Sequence, residues 1–245
     1  MSNSSKHLVW VFLFISETVD KRRPFLQTPG KTSYSNYINA CFVTSYRKKD
    51  AFIATQSPLP NTVEDFWRLV YDWKCPLIVM LNQLDPRDKT CCKYWPENNS
   101  SQFGNMNVTL KEEQNVGIYV HRQFELINTY NQEQRLVHHM HLNSWDEKNQ
   151  QDLIILIRDM EKIQQDYSTV APTVVHCING VGRTGVFLTV KSEMERMSTE
   201  GCVDVFHTVR QLRRSNHCMV YTEEDYYLCH QLLKLEFPES HYANI

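Results

Sequence analysis

The chain has 245 residues, 42% of them hydrophobic, which is enough for one large core. A formal net charge of -2 gives no argument for a nucleic-acid partner. Eight cysteines at irregular spacing point to a reducing, cytoplasmic compartment rather than a disulfide scaffold, and the adjacent Cys91 and Cys92 read as ordinary strand residues.

Residues 1–35 form a poorly defined N-terminal segment. The apolar run Leu8 to Ile15 is too short to cross a bilayer, which takes about 20 residues, so no membrane insertion by this chain is expected. Asp20 to Thr32 reads as loop, broken by Pro24, Pro29 and Gly30. From Asn36 the text becomes dense, and residues 36–245 read as a single domain without repeats or linkers. Ile38, Ala40 and Phe42 alternate with Asn39 and Cys41 as in a half-buried strand, with Ala51 to Ala54 as its partner. After Pro58 and Pro60, Asn61 or Thr62 caps a helix carrying Val63, Phe66, Trp67 and Val70 on one face. Leu77 to Leu81 (LIVML) is the kind of central strand that is covered on both faces.

Polar and apolar residues alternate from Asn107 to Asn143, which predicts antiparallel strands. His138, His139 and His141 could suggest a metal. On a strand His139 and His141 share a face while His138 points away, and no Cys or carboxylate pair follows at ligand spacing, so no metal site is assigned. Leu153, Leu156, Ile157, Met160 and Ile163 make one stripe of a helix over 152–165. Two further helices are predicted over 203–213 and 223–237.

Val174 to Gly185 reads VVHCINGVGRTG, where an apolar strand end, a thiol, a glycine-rich turn, a cation and a helix start follow one another without a gap. Gly180, Gly182 and Gly185 permit a tight wrap. Five residues separate Cys177 from Arg183, enough for the backbone N–H groups of Ile178, Asn179, Gly180, Val181 and Gly182 and the guanidinium to converge above the sulfur. From Thr184 onward Val186, Val190, Met194 and Met197 form a helical stripe, so the helix dipole faces the same point. Such a seat suits a dianion, favours the sulfur as nucleophile, and lets Arg183 grip two oxygens at once. The bland alternative, a buried Cys before a glycine turn, does not account for the Arg and the Thr that follow.

This segment resembles the signature loop of the protein tyrosine phosphatases, HCxxGxGRxG. Elements similar to the family's run in the same order through Asn36 to Cys41, Ala51 to Pro58, Thr62 to Trp67 and Thr90 to Pro96, so the resemblance covers roughly 36–237. It implies an α/β fold with a central twisted mixed sheet and helices on both sides. It also implies hydrolysis of phosphotyrosine in proteins without metal or cofactor, with Cys177 forming a phosphocysteine, Arg183 clamping phosphate, and the Thr184 hydroxyl donating to the sulfur. Asp85 stands where the family keeps an acid that orients the Arg. In place of the family's Trp-Pro-Asp loop stands Ser144-Trp145-Asp146-Glu147-Lys148, which makes Glu147, with Asp146 as alternative, the proton donor.

Several positions depart from the family pattern. Tyr221 replaces a glutamine that orients the attacking water, and Asp225 replaces a second one. An aromatic clamp for the phosphotyrosine ring is absent from Ser16 to Arg23. Ile178 and Asn179 replace smaller residues, and Ile178 is expected to reshape the pocket floor. The resemblance therefore implies an attenuated phosphatase or, alternatively, a module that keeps the phosphate seat and has lost turnover. These losses are similar to those of membrane-distal second domains of receptor-type phosphatases, with an adjacent phosphatase domain as possible partner.

Overall fold

A computed structural model of the chain describes residues 20–30, 35–85, 87–88, 90–97, 99–146, 149–166 and 171–237. Eight strands form one mixed sheet: β1 (Ala40–Val43), β2 (Phe52–Gln56), β3 (Leu77–Met80), β4 (Ser100–Phe103), β5 (Met106–Asn115), β6 (Tyr119–Asn128), β7 (Gln134–Leu142) and β8 (Thr173–Cys177). Their order across the sheet is β1-β2-β8-β3-β7-β6-β5-β4. The four central strands are parallel, β2 to β8, β8 to β3 and β3 to β7, and the flanking pairs are antiparallel.

The helices are α1 (Val63–Asp72), α2 (Gln151–Asp166), α3 (Gly182–Glu200), α4 (Val205–Leu212) and α5 (Glu223–Glu236). They lie on both sides of the sheet, as expected. Phe52, Ala54, Leu77, Val79, Val175 and Cys177 face the layer of α2, α3, α4 and α5. Ile53, Ile78, Met80 and Val174 face α1 and the segment holding Tyr94 and Trp95. Burial on both faces is why the central strands are written as unbroken apolar text. Each large apolar side chain so buried contributes on the order of 2 kcal/mol, which makes Trp67 and Phe66 the anchors of the α1 layer.

Three local expectations are corrected. Cys41 is buried along with Ala40 and Val43, because both faces of β1 join a core: Cys41 and Val43 on one side, and Ala40 and Phe42, which meets Trp73 edge-on, on the other. Cys91 and Cys92 lie in an irregular segment rather than a strand, pinned where the Cys92 N–H donates to the Pro58 carbonyl at 3.2 Å. The helix after the signature loop is buried nearly all round from Thr184 to Glu193 rather than along one stripe, since it sits between the sheet, α4 and α5. Residues 20–30 pack on the domain: Leu26 is buried, Arg22 pairs with Asp50, and the Gln27 and Thr28 N–H groups donate to the Asp72 carboxylate. Leu8 to Ile15 lies outside the described residues, and no described helix is long and apolar enough to cross a membrane.

A buried polar chain crosses the sheet directly under the signature loop. Ser57 Oγ donates to Asn82 Oδ1 at 2.9 Å, so His176 Nδ1–H donates to Ser57 Oγ at 3.2 Å and leaves Nε2 to accept from Tyr94 OH at 2.8 Å. Tyr94 OH in turn lies 2.8 Å from His139 Nε2, which leaves His139 Nδ1 as the acceptor toward Arg122. The expected strand faces hold: His139 enters this chain, while His138 stacks on His121 on the other side. Among the described residues no group of His, Cys, Asp and Glu side chains is placed to hold a metal ion.

Burial pulls His176 down to about 3, and it pulls His141 down to about 4 despite the hydrogen bond to the Asn82 carbonyl. In the unfolded chain both imidazoles take protons as the pH falls through about 6.5. The unfolded state therefore binds more protons between about pH 4 and 6.5, and stability present above that window is lost as the pH falls through it. The free energy of urea unfolding should drop from about pH 6.5 to 4.5, by on the order of 1.4 kcal/mol per pH unit for each such imidazole. His141→Asn, which keeps a donor toward Asn82, should make the fall shallower by one such increment.

Candidate active site

The signature loop leaves the sheet at the carboxyl ends of the parallel strands. Cys177 is the last residue of β8, paired with Gln56, and its carbonyl accepts the Ser57 N–H at 2.8 Å. One strand over, the Leu81 N–H donates to the His176 carbonyl at 2.9 Å. The residue before the turn is thus fixed from both sides, and ligand sites of open α/β sheets form at such strand ends.

Two glycines make the wrap possible. Gly180 has φ +74°, and a Cβ there would lie 2.6 Å from the carbonyl carbon and oxygen of Thr55. Gly185 meets a second wall, where a Cβ would stand 2.5 Å from the Val220 nitrogen. Val220 itself sits at φ +53°, a conformation that a β-branched residue adopts only when its surroundings enforce it. Its N–H donates to the Val181 carbonyl, and Arg213 binds the Met219 and Val220 carbonyls at 3.0 and 2.8 Å.

These contacts bring the predicted loop residues together. Cys177 is 2% exposed, and its Sγ accepts the Thr184 hydroxyl at 3.2 Å. Val181 caps α3 and Gly182 opens it, and their N–H groups point back to the Asn179 side chain beside the sulfur. Arg183 donates to the Leu81 carbonyl at 3.2 Å and lies 5.4 Å from the Trp145 ring centroid, a cation–π contact that ties the loop after β7 to the seat. Burial draws the guanidinium below its usual range, and the nearby Cys177 and Asp225 oppose that shift.

Other expected residues stand elsewhere. Asp85 does not orient Arg183. It accepts the Arg87 N–H at 2.9 Å and pairs with the Arg87 guanidinium at 2.9 Å, which holds its carboxyl below the ordinary range. A cation two residues away in the same turn is a nearer partner than one across the sheet, and the Leu81 carbonyl takes over the anchoring of Arg183. Ile178 is 39% exposed, which is a rim position and not a floor. Tyr221 is exposed on the segment between Val220 and α5, Asp146 is exposed after Trp145, and Glu147 lies outside the described residues.

Two side chains of the seat take places that the sequence reading did not give them. The Asn179 side chain folds over the sulfur: its Oδ1 accepts the Val181 and Gly182 N–H groups at 3.1 and 3.2 Å and stands 3.3 Å from Cys177 Sγ. Asp225, which closes a capping box with Thr222 at the start of α5, holds its carboxylate beside Gly182, where a Cβ would meet Oδ2 at 3.4 Å. Asn before Gly in a turn is a signal for a side chain that binds local N–H groups, and it could have pointed to Asn179.

A profile of the protein-tyrosine phosphatases matches residues 16–234. The chain belongs to this family. It is 38% identical over 217 residues to human (Homo sapiens) receptor-type tyrosine-protein phosphatase alpha, an alignment covering 86% of this chain and 27% of that protein. It is similar to human receptor-type tyrosine-protein phosphatase epsilon, with 37% identity over 239 residues, 92% of this chain and 34% of the relative. With the chicken (Gallus gallus) receptor-type tyrosine-protein phosphatase S it shares 38% identity over 216 residues, 85% of this chain and 14% of the relative. The chain thus spans between about a seventh and about a third of the length of these receptor-type relatives.

The loop's dependence on missing side chains is testable. Gly180→Ala should cost about 1–3 kcal/mol in urea unfolding, because the added carbon meets the Thr55 backbone in a conformation that already disfavours it. Gly117→Ala, also at a positive φ (+94°) but with open space around it, should cost less, which separates the steric part from the conformational one.

Proposed function

We propose that this domain is a cysteine-dependent phosphatase for phosphotyrosine in proteins that works through a phosphocysteine and turns over slowly. The observation that carries the reading is the Thr184 hydroxyl donating to one sulfur at a strand end, with the Val181 and Gly182 N–H groups gathered on the Asn179 oxygen 3.3 Å from that sulfur and the Arg183 guanidinium close enough to feel its charge. Cys177 Sγ attacks phosphorus, the bond from phosphorus to the tyrosine oxygen breaks, and that oxygen takes a proton from Glu147 or Asp146. Water then attacks the phosphocysteine and gives a proton to the same carboxylate. The sulfur–phosphorus bond breaks, and inorganic phosphate leaves. Arg183 holds two non-bridging oxygens in both steps, and the Thr184 hydroxyl stabilises the sulfur as leaving group.

Slow turnover follows from three residues. Glu147 reaches one methylene further than the aspartate it replaces, and a misplacement of about 1 Å can cost on the order of a hundredfold. Tyr221 offers a phenol where the family uses a carboxamide for the attacking water. Asp225 adds negative charge near Gly182, where a phosphoryl group brings more.

A second reading is supported by the Asn179 carboxamide in the seat: a regulatory module that binds phosphoryl groups without releasing product, acting beside another phosphatase domain. The receptor-type relatives support a place on the cytoplasmic side of a longer protein for either reading.

Hydrolysis of p-nitrophenyl phosphate should be measurable but poor, and Cys177→Ser should abolish it. Its activated leaving group asks little of a general acid, so a phosphotyrosine peptide should be turned over more slowly still. Glu147→Asp combined with Tyr221→Gln should raise peptide turnover at least roughly tenfold. A doubly substituted protein as inert as the parent, still binding vanadate or phosphotyrosine peptide, would establish the non-hydrolytic module.

A further inference from the structure

We infer that Asn179 is a built-in ligand of the phosphoryl seat: its carboxamide oxygen occupies the place of an incoming phosphoryl oxygen and must swing out before substrate binds. The inference rests on the reading of that seat as a phosphoryl site. A group attacked by Cys177 has to bring its phosphorus to roughly 3–3.5 Å from the sulfur. Its oxygens must then take the N–H groups that open α3. Asn179 Oδ1 already holds two of those donors, at 3.1 and 3.2 Å, while standing 3.3 Å from the sulfur. One oxygen cannot share that volume with another.

The chemistry of the stand-in sets its strength. A carboxamide oxygen is neutral, so it satisfies helix-start N–H groups less well than a dianion that also reaches Arg183. Asn179 is exposed at its outer side, which leaves room for the side chain to rotate away. The result is a competitor that raises the concentration of phosphoryl ligand needed for binding without closing the site. An alanine at 179 has no atom that reaches the Val181 and Gly182 N–H groups, so the substitution removes the competitor and leaves the wrap at Gly180 untouched. Asn179 therefore lowers the affinity of every phosphoryl ligand by the same factor, the free energy needed to displace its side chain.

The test is binding of tungstate, a tetrahedral dianion, read by thermal shift and by protection of Cys177 from iodoacetamide in peptide mass spectrometry. Asn179→Ala should bind tungstate at least roughly tenfold tighter than the parent, the scale of one or two net hydrogen bonds released, and Asn179→Ser, whose hydroxyl can take the same N–H groups more weakly, should fall between the two. Arg183→Ala should lose tungstate in every background. If both position-179 variants bind no tighter than the parent while binding still needs Arg183, the inference is overturned and the phosphoryl-site reading stands. If no variant binds tungstate in an Arg183-dependent way, both are overturned.

Discussion

The close backbone approach of Gly180 to Thr55 is the constraint on which the site depends. It lets the chain turn sharply at the end of β8 and delivers the first N–H groups of α3 to a point over Cys177. Gly185 against Val220 closes the other side, so that the loop is held between β2 and the strained segment before α5. Neither contact involves a functional side chain. The geometry of the seat is set by atoms that are missing.

Electrostatics are distributed unevenly around the sulfur. Beneath it lies a hydrogen-bonded chain from Ser57 through His176 and Tyr94 to His139, whose imidazoles burial keeps neutral. Above it lie the helix-start N–H groups and Arg183, with the Asp225 carboxylate as the opposing charge. Stabilisation of an anion must come from the upper side alone, where dipoles and a guanidinium already point. The lower side supplies rigidity: every member of the chain has a partner, so the strand end beneath Cys177 has little freedom to shift.

Much of this was legible in the sequence because it is written in local text. LIVML and VVHC are unbroken because the strands they encode are covered on both faces, and the glycine turn between Cys177 and Thr184 has few alternatives for a helix to follow. What was not legible depends on choices between partners. Asp85 had two arginines within reach of plausible folds, and proximity in a turn decided for Arg87. Asn179 could have faced solvent, and only the placement of two N–H groups made it a ligand. β4 escaped notice because Ser100 to Phe103 carries no apolar alternation, its pairing being supplied by β5. The polar chain under the sheet joins residues 57, 94, 139 and 176, a conjunction that periodicity does not encode.

The position of β8 in the sheet bears on how the protein assembles. It comes last of the strands in sequence, yet it is inserted between β2 and β3, which precede it by about a hundred residues. While the chain emerges from the ribosome, those two strands have no neighbour on their facing edges until residues 173–177 arrive, and the intervening meander of β4 to β7 can pair by itself first. Such long-range parallel pairing is slow, and open apolar edges invite association with other chains. Cys177 therefore enters on the piece that completes the sheet, so that the loop around it takes shape only when the core is closed.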